Sequence, residues 1–133
     1  MVNLRVIIAG GRDFNDLELL TRVCDEILQN STNVTIVSGC ANGADKLGEL
    51  YAKLKCYEVT RFPADWETHG KSAGILRNKE MANNADALIA FWDGKSKGTK
   101  HMMDEATKRG FKLVAVVDYA GNITVKEVQK KLW

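Results

Sequence analysis

The sequence predicts an α/β protein: a Rossmann-like three-layer fold with a parallel sheet of about five strands in the order 3-2-1-4-5. Three observations carry this. Short β-branched or apolar runs alternate five times with segments of helical periodicity, the pattern of successive β-α units. The fourth run, Ala87 to Trp92, is apolar at all six positions and stops abruptly at glycine and charge, as a strand buried on both faces does. Three of the runs end in glycine-bearing turns, and right-handed crossovers between parallel strands then leave few possible windings.

Leu4 to Ala9 is the first strand, β-branched and mostly apolar. Gly10-Gly11 ends it. Asn15 followed by Glu18 has capping-box spacing and opens a helix whose stripe is Leu17, Leu20, Cys24, Ile27 and Leu28. Val34 to Val37 is the second strand. The next helix is capped by Asn42 and buries Ala44, Leu47, Tyr51 and Leu54. Glu58 to Phe62 alternates, which suits a third strand at the sheet edge. Pro63 to Gly74 is the long irregular piece, followed by a helix from about Ile75 to Asn84. After the fourth strand, Lys100 to Arg109 is helical, with Gly110 at the C-cap position. Lys112 to Val117 is the fifth strand. Asn122 to Trp133 is expected to form a turn and closing helix that faces Val125, Val128 and Leu132 inward. With no internal repeat and no linker, residues 1–133 are expected to be a single domain.

Composition narrows the function. An apolar content of 45% with a single proline excludes disorder, and no apolar run approaches the roughly 20 residues of a membrane span. The N-terminus runs straight into a strand without a signal-peptide layout, so a cytoplasmic protein is expected. The 19 basic and 17 acidic residues balance to +2, too even to announce nucleic acid. Cys24, Cys40 and Cys56 lack paired spacing, so neither a zinc site nor a disulfide framework is expected. Cys24 and Cys40 read as packing residues. His69 and His101 read as ordinary surface residues, although His101 falls in the first turn of the helix after the fourth strand, where an anion would be drawn.

The winding itself locates a site. Ligands of open parallel sheets bind beyond the carboxyl ends of the strands, where the winding reverses. In the order 3-2-1-4-5 that point lies between strands one and four. The turn with Gly10, Gly11 and Arg12 would face the turn with Asp93, Gly94, Lys95, Gly98 and Thr99, and Ser38, Gly39 and Gly43 would flank them. Glycine admits close approach of backbone amides, a helix N-terminus attracts an anion, and lysine adds a full charge. The plain alternative for each glycine is a tight turn without a ligand. Arg77 can clamp a phosphate bidentately or be a surface arginine; Trp66 can stack on a base or cover the sheet edge. NAD is disfavoured. The first turn reads G-G-R-D-F, not G-x-G-x-x-G, and Ser38 stands where a ribose-binding carboxylate would be. The Walker pattern is absent as well. No cofactor and no metal are expected.

Several motifs, in order, resemble the SLOG superfamily, and within it the small YspA-type, cpYpsA-related branch. They are Gly10-Gly-Arg-Asp-Phe14, Ser38-Gly-Cys-Ala-Asn-Gly-Ala-Asp45, Lys71-Ser-Ala-Gly-Ile-Leu-Arg-Asn78, Met81, Ala85-Asp86 and Gly98-Thr99. The superfamily includes the DNA-processing protein DprA and the lonely-guy phosphoribohydrolases. The resemblance spans Leu4 to about Val117. It implies a nucleotide or nucleotide-derived ligand at the pocket drawn above, adds Asp45 and Asn78 to the binding residues, and suggests a homodimer by analogy. Lonely-guy enzymes carry P-G-G-x-G-T-x-x-E and an upstream R-x-x-x-M. Arg77 and Met81 match the upstream element and Gly98-Thr99 the glycine-threonine, but the glutamate position is Met102. The usual carboxylate is therefore missing. Asp104 and Glu105 sit about 100° per residue around a helix from it, and Asp13 or Asp93 would have to substitute.

Three functions follow. The first is a binding module that senses or sequesters a nucleotide-derived ligand. The second is a nucleoside-phosphate N-glycosidase with Arg77 and either Asp13 or Asp93 as its catalytic residues. The third is a DprA-like accessory that holds single-stranded DNA through its lysines. Met102 argues against the second, and near-neutral charge against the third.

Overall fold

The computed structural model describes residues 3–126. Its sheet has six strands in the order β3-β2-β1-β4-β5-β6. The elements are β1 (Leu4–Gly10), α1 (Leu17–Leu28), β2 (Val34–Ser38), α2 (Ala44–Lys55), β3 (Glu58–Arg61), α3 (Trp66–His69) and a 3-10 turn (Gly70–Ser72), followed by α4 (Ala73–Asn83), β4 (Ala87–Phe91), α5 (Lys97–Lys108), β5 (Leu113–Val117) and β6 (Ile123–Lys126). The first five strands are parallel and follow the expected order. The β1–β4 register pairs Ile8 with Ile89 and Gly10 with Phe91.

Alternation along the strands builds the three layers. Val6, Ile8, Ile36 and Ile89 join Leu20, Cys24 and Tyr51 of α1 and α2 on one face. Ile7, Ala9, Val37 and Leu88 join Met81, Met102 and Ala106 of α4 and α5 on the other. Every residue of β2 and β4 is buried, as strands covered on both faces should be. β3 is exposed at the edge.

The structure differs from expectation at several places. β6 replaces the start of the expected closing helix, pairing antiparallel with β5 from Ile123 opposite Val117 to Lys126 opposite Val114. Asp118 turns the chain, its Oδ1 accepting the amides of Ala120 at 3.0 Å and Asn122 at 2.9 Å. The β-branched Ile123, Thr124 and Val125 then complete an otherwise open edge. Val125 is exposed rather than inward-facing; Val128 and Leu132 lie outside the described residues. The cap of α1 is Asp16, which accepts from the Leu19 amide at 3.0 Å, because its carboxylate lies three residues before that amide. The buried stripe is Leu19, Leu20, Val23, Cys24 and Leu28, with Leu17 and Ile27 only half-buried. Gly43, not Asn42, caps α2. Leu54, expected in the buried stripe of α2, is 61% exposed. The long irregular piece contains α3, capped by Asp65, whose carboxylate accepts the Thr68 amide at 3.1 Å.

Candidate functional site

The turns after β1 and β2 interlock. The Gly11 carbonyl accepts the amides of Phe14 and Ala44, both at 3.2 Å, and the Gly11 amide donates to Phe91 O at 3.2 Å. A Cβ at Gly10 would overlap the Phe91 carbonyl and lie 2.8 Å from Ala44 Cβ; one at Gly43, where φ is +79°, would overlap the Gly11 carbonyl. These glycines bring three chain segments to the contact distance that any side chain would prevent.

Beyond them, over the β1/β4 boundary, lies a cavity of about 650 Å³, within the range of ligand sites. It is lined by eleven of the sequence-predicted residues: Gly10, Gly11, Arg12, Asp13, Asp45, Trp66, Arg77, Asn78, Asp93, Gly98 and Thr99. Gly39 lines a smaller cavity of about 260 Å³ next to it. Gly94 lines a separate hollow with Asp118 and Tyr119, which Asp93 also borders. Ser38 is buried, its hydroxyl donating to Glu49 at 2.6 Å and accepting the Cys40 amide at 3.1 Å, and lines neither cavity. Lys95 lines none of the three and contributes its amide to Asp93.

Helix α5 supplies the anion-suited wall. Ser96 is its cap and shares a 3.0 Å hydrogen bond with the Thr99 hydroxyl. A Cβ on Gly98 would meet nothing within 4 Å, so there is free space in front of this position. Arg77, on α4, donates through Nη1 to Gly39 O and through Nε to Asn78 Oδ1 at 3.0 Å. Asn78 is buried and passes the connection on, donating to Gly98 O and to His101 Nδ1, each at 3.2 Å. Because Nε of Arg77 can only donate, the amide oxygen must face it, and the amide nitrogen must face α5. One polar chain therefore fixes the arginine relative to the helix terminus.

Four cations, Arg12, Lys71, Arg77 and Lys97, and three carboxylates line the cavity. The carboxylates differ. Asp13 accepts the Tyr119 hydroxyl at 2.9 Å. Asp93 accepts the amides of Lys95 at 2.8 Å and Ser96 at 2.9 Å, which hold it below the usual carboxylate range. Asp45 is buried, and desolvation pushes it up to about 6 although the Ala41 amide and Arg77 favour its charge. Burial pulls Arg77 down, but a guanidinium stays charged. Arg12 stands over the half-exposed Trp66, its guanidinium carbon 5.9 Å from the ring centroid.

Met102 is 1% exposed and lines the cavity. Asp104 pairs with Lys100 at 2.6 Å, and Glu105 is held by Arg109 at 3.4 Å; neither lines the cavity. Burial raises the Cys40 thiol, which leaves it a poor nucleophile. His101 corrects an expectation, being half-buried in the cavity wall rather than an ordinary surface residue. Lys71 and Lys97 also belong to that wall. Ser96 as a helix cap was the signal for Lys97, since it starts α5 three residues before Lys100. Among the described residues no group of three or more His, Cys, Asp or Glu is placed to hold a metal ion.

A doubly wound sheet with a cleft over its switch point, lined by both apolar side chains and four cations, defines a Rossmann-like α/β protein. Its fold is similar to that of DNA processing protein A (DprA) from Streptococcus pneumoniae, with a TM-score of 0.66 and 16% identity over 87% of this chain and 50% of that one. The chain thus spans about half the length of that protein. Residues 4–69 match the YspA, cpYpsA-related SLOG family. The chain is also 38% identical over 117 residues to the Gene 61 protein of Mycobacterium phage D29, covering 83% of this chain and 94% of that one. It belongs to the SLOG superfamily, in its YspA-type, cpYpsA-related branch.

Proposed function

We propose that the chain binds a nucleotide or nucleotide-derived ligand in the larger cavity, as a sensor or a sequestering module. The observation that supports this reading best is the convergence of the open α5 terminus, Arg12 and Arg77 around one cavity bordered by an exposed tryptophan. In this reading a phosphate sits against Gly98 and Thr99, held by helix polarity and the Arg77 guanidinium. The base stacks on Trp66, displacing or sandwiching Arg12. Binding without hydrolysis is favoured because the buried Met102 stands where the resemblance places the catalytic glutamate and offers no proton acceptor. The reading includes a cytoplasmic homodimer, and light scattering on the purified protein tests the dimer.

Titration calorimetry with nucleoside monophosphates tests the site. Arg77→Ala is expected to weaken binding at least tenfold, the loss of one charge-assisted hydrogen-bonded clamp. Arg77→Lys, which keeps the charge but not the fork, should fall between. Circular dichroism should show both variants folded. Unchanged affinity in folded Arg77→Ala rejects the assignment of the pocket, and release of free base from the monophosphate replaces binding with hydrolysis.

A further inference from the structure

Asn78 sits between α4 and α5 with three partners, and two of them leave its amide no choice of orientation. Arg77 Nε can only donate, and it donates to Asn78 Oδ1 at 3.0 Å. Gly98 O can only accept, and it takes a hydrogen from Asn78 Nδ2 at 3.2 Å. The third partner, His101 Nδ1, lies 3.2 Å from the same Nδ2, so it too must accept. An imidazole accepts at Nδ1 only when its one hydrogen is on Nε2. The surroundings agree, since Nε2 faces the Glu105 carboxylate at 3.9 Å and Arg109 shares that carboxylate. Both ring nitrogens are therefore turned to the protein, although the ring lines the cavity.

Resting on the proposed function, we infer that His101 is a positioning residue: neutral and protonated at Nε2 alone, it holds Asn78 so that Arg77 and the first turn of α5 grip one phosphate together. Arg77 has Nε and Nη1 committed to Asn78 and Gly39, which leaves Nη2 for the ligand, and its aim depends on the amide behind it. An imidazolium sets an N–H of its own against the Asn78 amide hydrogens. Turning the amide over would oppose it to both Arg77 and Gly98. The ring leaves instead, and Asn78, 6% exposed, keeps an N–H without a partner. The junction between α4 and α5 loosens there. The added charge does not offset this, because it develops beside Glu105 rather than towards the phosphate. The other charged groups near the ring are Lys97 on its own helix, Arg77 on α4, and Lys71 and Asp45 elsewhere in the cavity wall; the strand residues beneath α5 are apolar.

Two measurements on the full chain test this. Long-range nitrogen–proton correlation spectra read the tautomer, and with 2 histidines in the chain His69→Gln assigns the signals. At about pH 8 the His101 ring should show a bare Nδ1 and a hydrogen on Nε2. A hydrogen on Nδ1 overturns the inference. Calorimetry with a nucleoside monophosphate then compares two variants shown folded by circular dichroism. Asparagine places its side-chain oxygen where Nδ1 stood, whereas glutamine carries its amide one bond further, level with Nε2. His101→Asn should therefore bind roughly threefold tighter than His101→Gln. Acidification from about pH 8 to about pH 5 should weaken the wild type roughly threefold more than His101→Asn. In that comparison the titrations of Asp45 and of the phosphate cancel. Equal binding by the two variants, or a wild type that gains on His101→Asn in acid as a direct cationic contact would, rejects the positioning role and leaves the binding function standing. If no monophosphate binds the wild type, both fail together.

Discussion

Asp45 is the residue at which the cleft strains the fold. Its carboxyl ionises near 3.8 in an unfolded chain and at about 6 in the folded one. Below pH 4 both states hold the proton, and above about pH 6 both have lost it. In between, the folded state holds it more tightly, so the Asp45 contribution to folding stability falls as pH rises from about 4 to about 6. The cost then persists at neutral pH, on the order of 2–3 kcal/mol by the shift alone. Asp45→Asn keeps an oxygen for the Ala41 amide and carries no charge. It should raise the urea midpoint at pH 7 and leave it little changed at pH 4; a variant-minus-wild-type difference that does not grow between pH 4 and 6 rejects the account. The residues around Asp45 were unevenly visible in the sequence. Arg77 and Gly98 stood out because arginine and glycine in a polar turn are suggestive by themselves. His101 was visible only by its place in the first turn of α5, since nothing in its neighbours' identities says that Asn78, twenty-three residues away, holds its ring.

Glycines that look alike in the sequence do opposite work in their elements. Gly43 opens α2 at a positive φ against the Gly11 carbonyl, so Gly43→Ala must strain the backbone and force the interlocked turns away from each other. A loss of roughly 2–4 kcal/mol is expected, read as a lower unfolding midpoint. Gly98 lies inside the first turn of α5 with open space before it. Gly98→Ala should leave stability equal or up to about 1 kcal/mol higher, as the better helix former, yet weaken nucleotide binding because its methyl group stands where the phosphate approaches. A variant that loses stability but binds normally contradicts the position given to the ligand. The periodicity of α1, α2 and β4 was legible because each has a long, clear pattern. Helix α3 was not: four residues bounded by glycine and proline carry too little period, and only Asp65 as a cap hinted at it.

For the whole molecule, the formal charge is +2, and three carboxylates sit among the four cations of the cleft. Single-stranded DNA should therefore bind no more tightly than about 10⁻⁴ M at physiological salt, the weak end of non-specific association. Fluorescence anisotropy of a labelled oligonucleotide checks this, and tight binding with a steep salt dependence would restore a DNA-handling role. The order of the first five strands was also a whole-molecule inference. It succeeded because crossover handedness and double burial of β4 leave little freedom. The sixth strand escaped because four residues of β-branched alternation are ambiguous until a neighbouring edge is available to pair with. By itself, then, the sequence determined the layers, the winding and the sheet edge at which the large cavity lies, since hydrophobic period and chirality act locally and everywhere at once. Only the tertiary structure decided which side chains share the cleft, which carboxylate is buried, and that Ser38 turns away toward Glu49. Those outcomes depend on distances between segments far apart in the chain, and no local pattern encodes them.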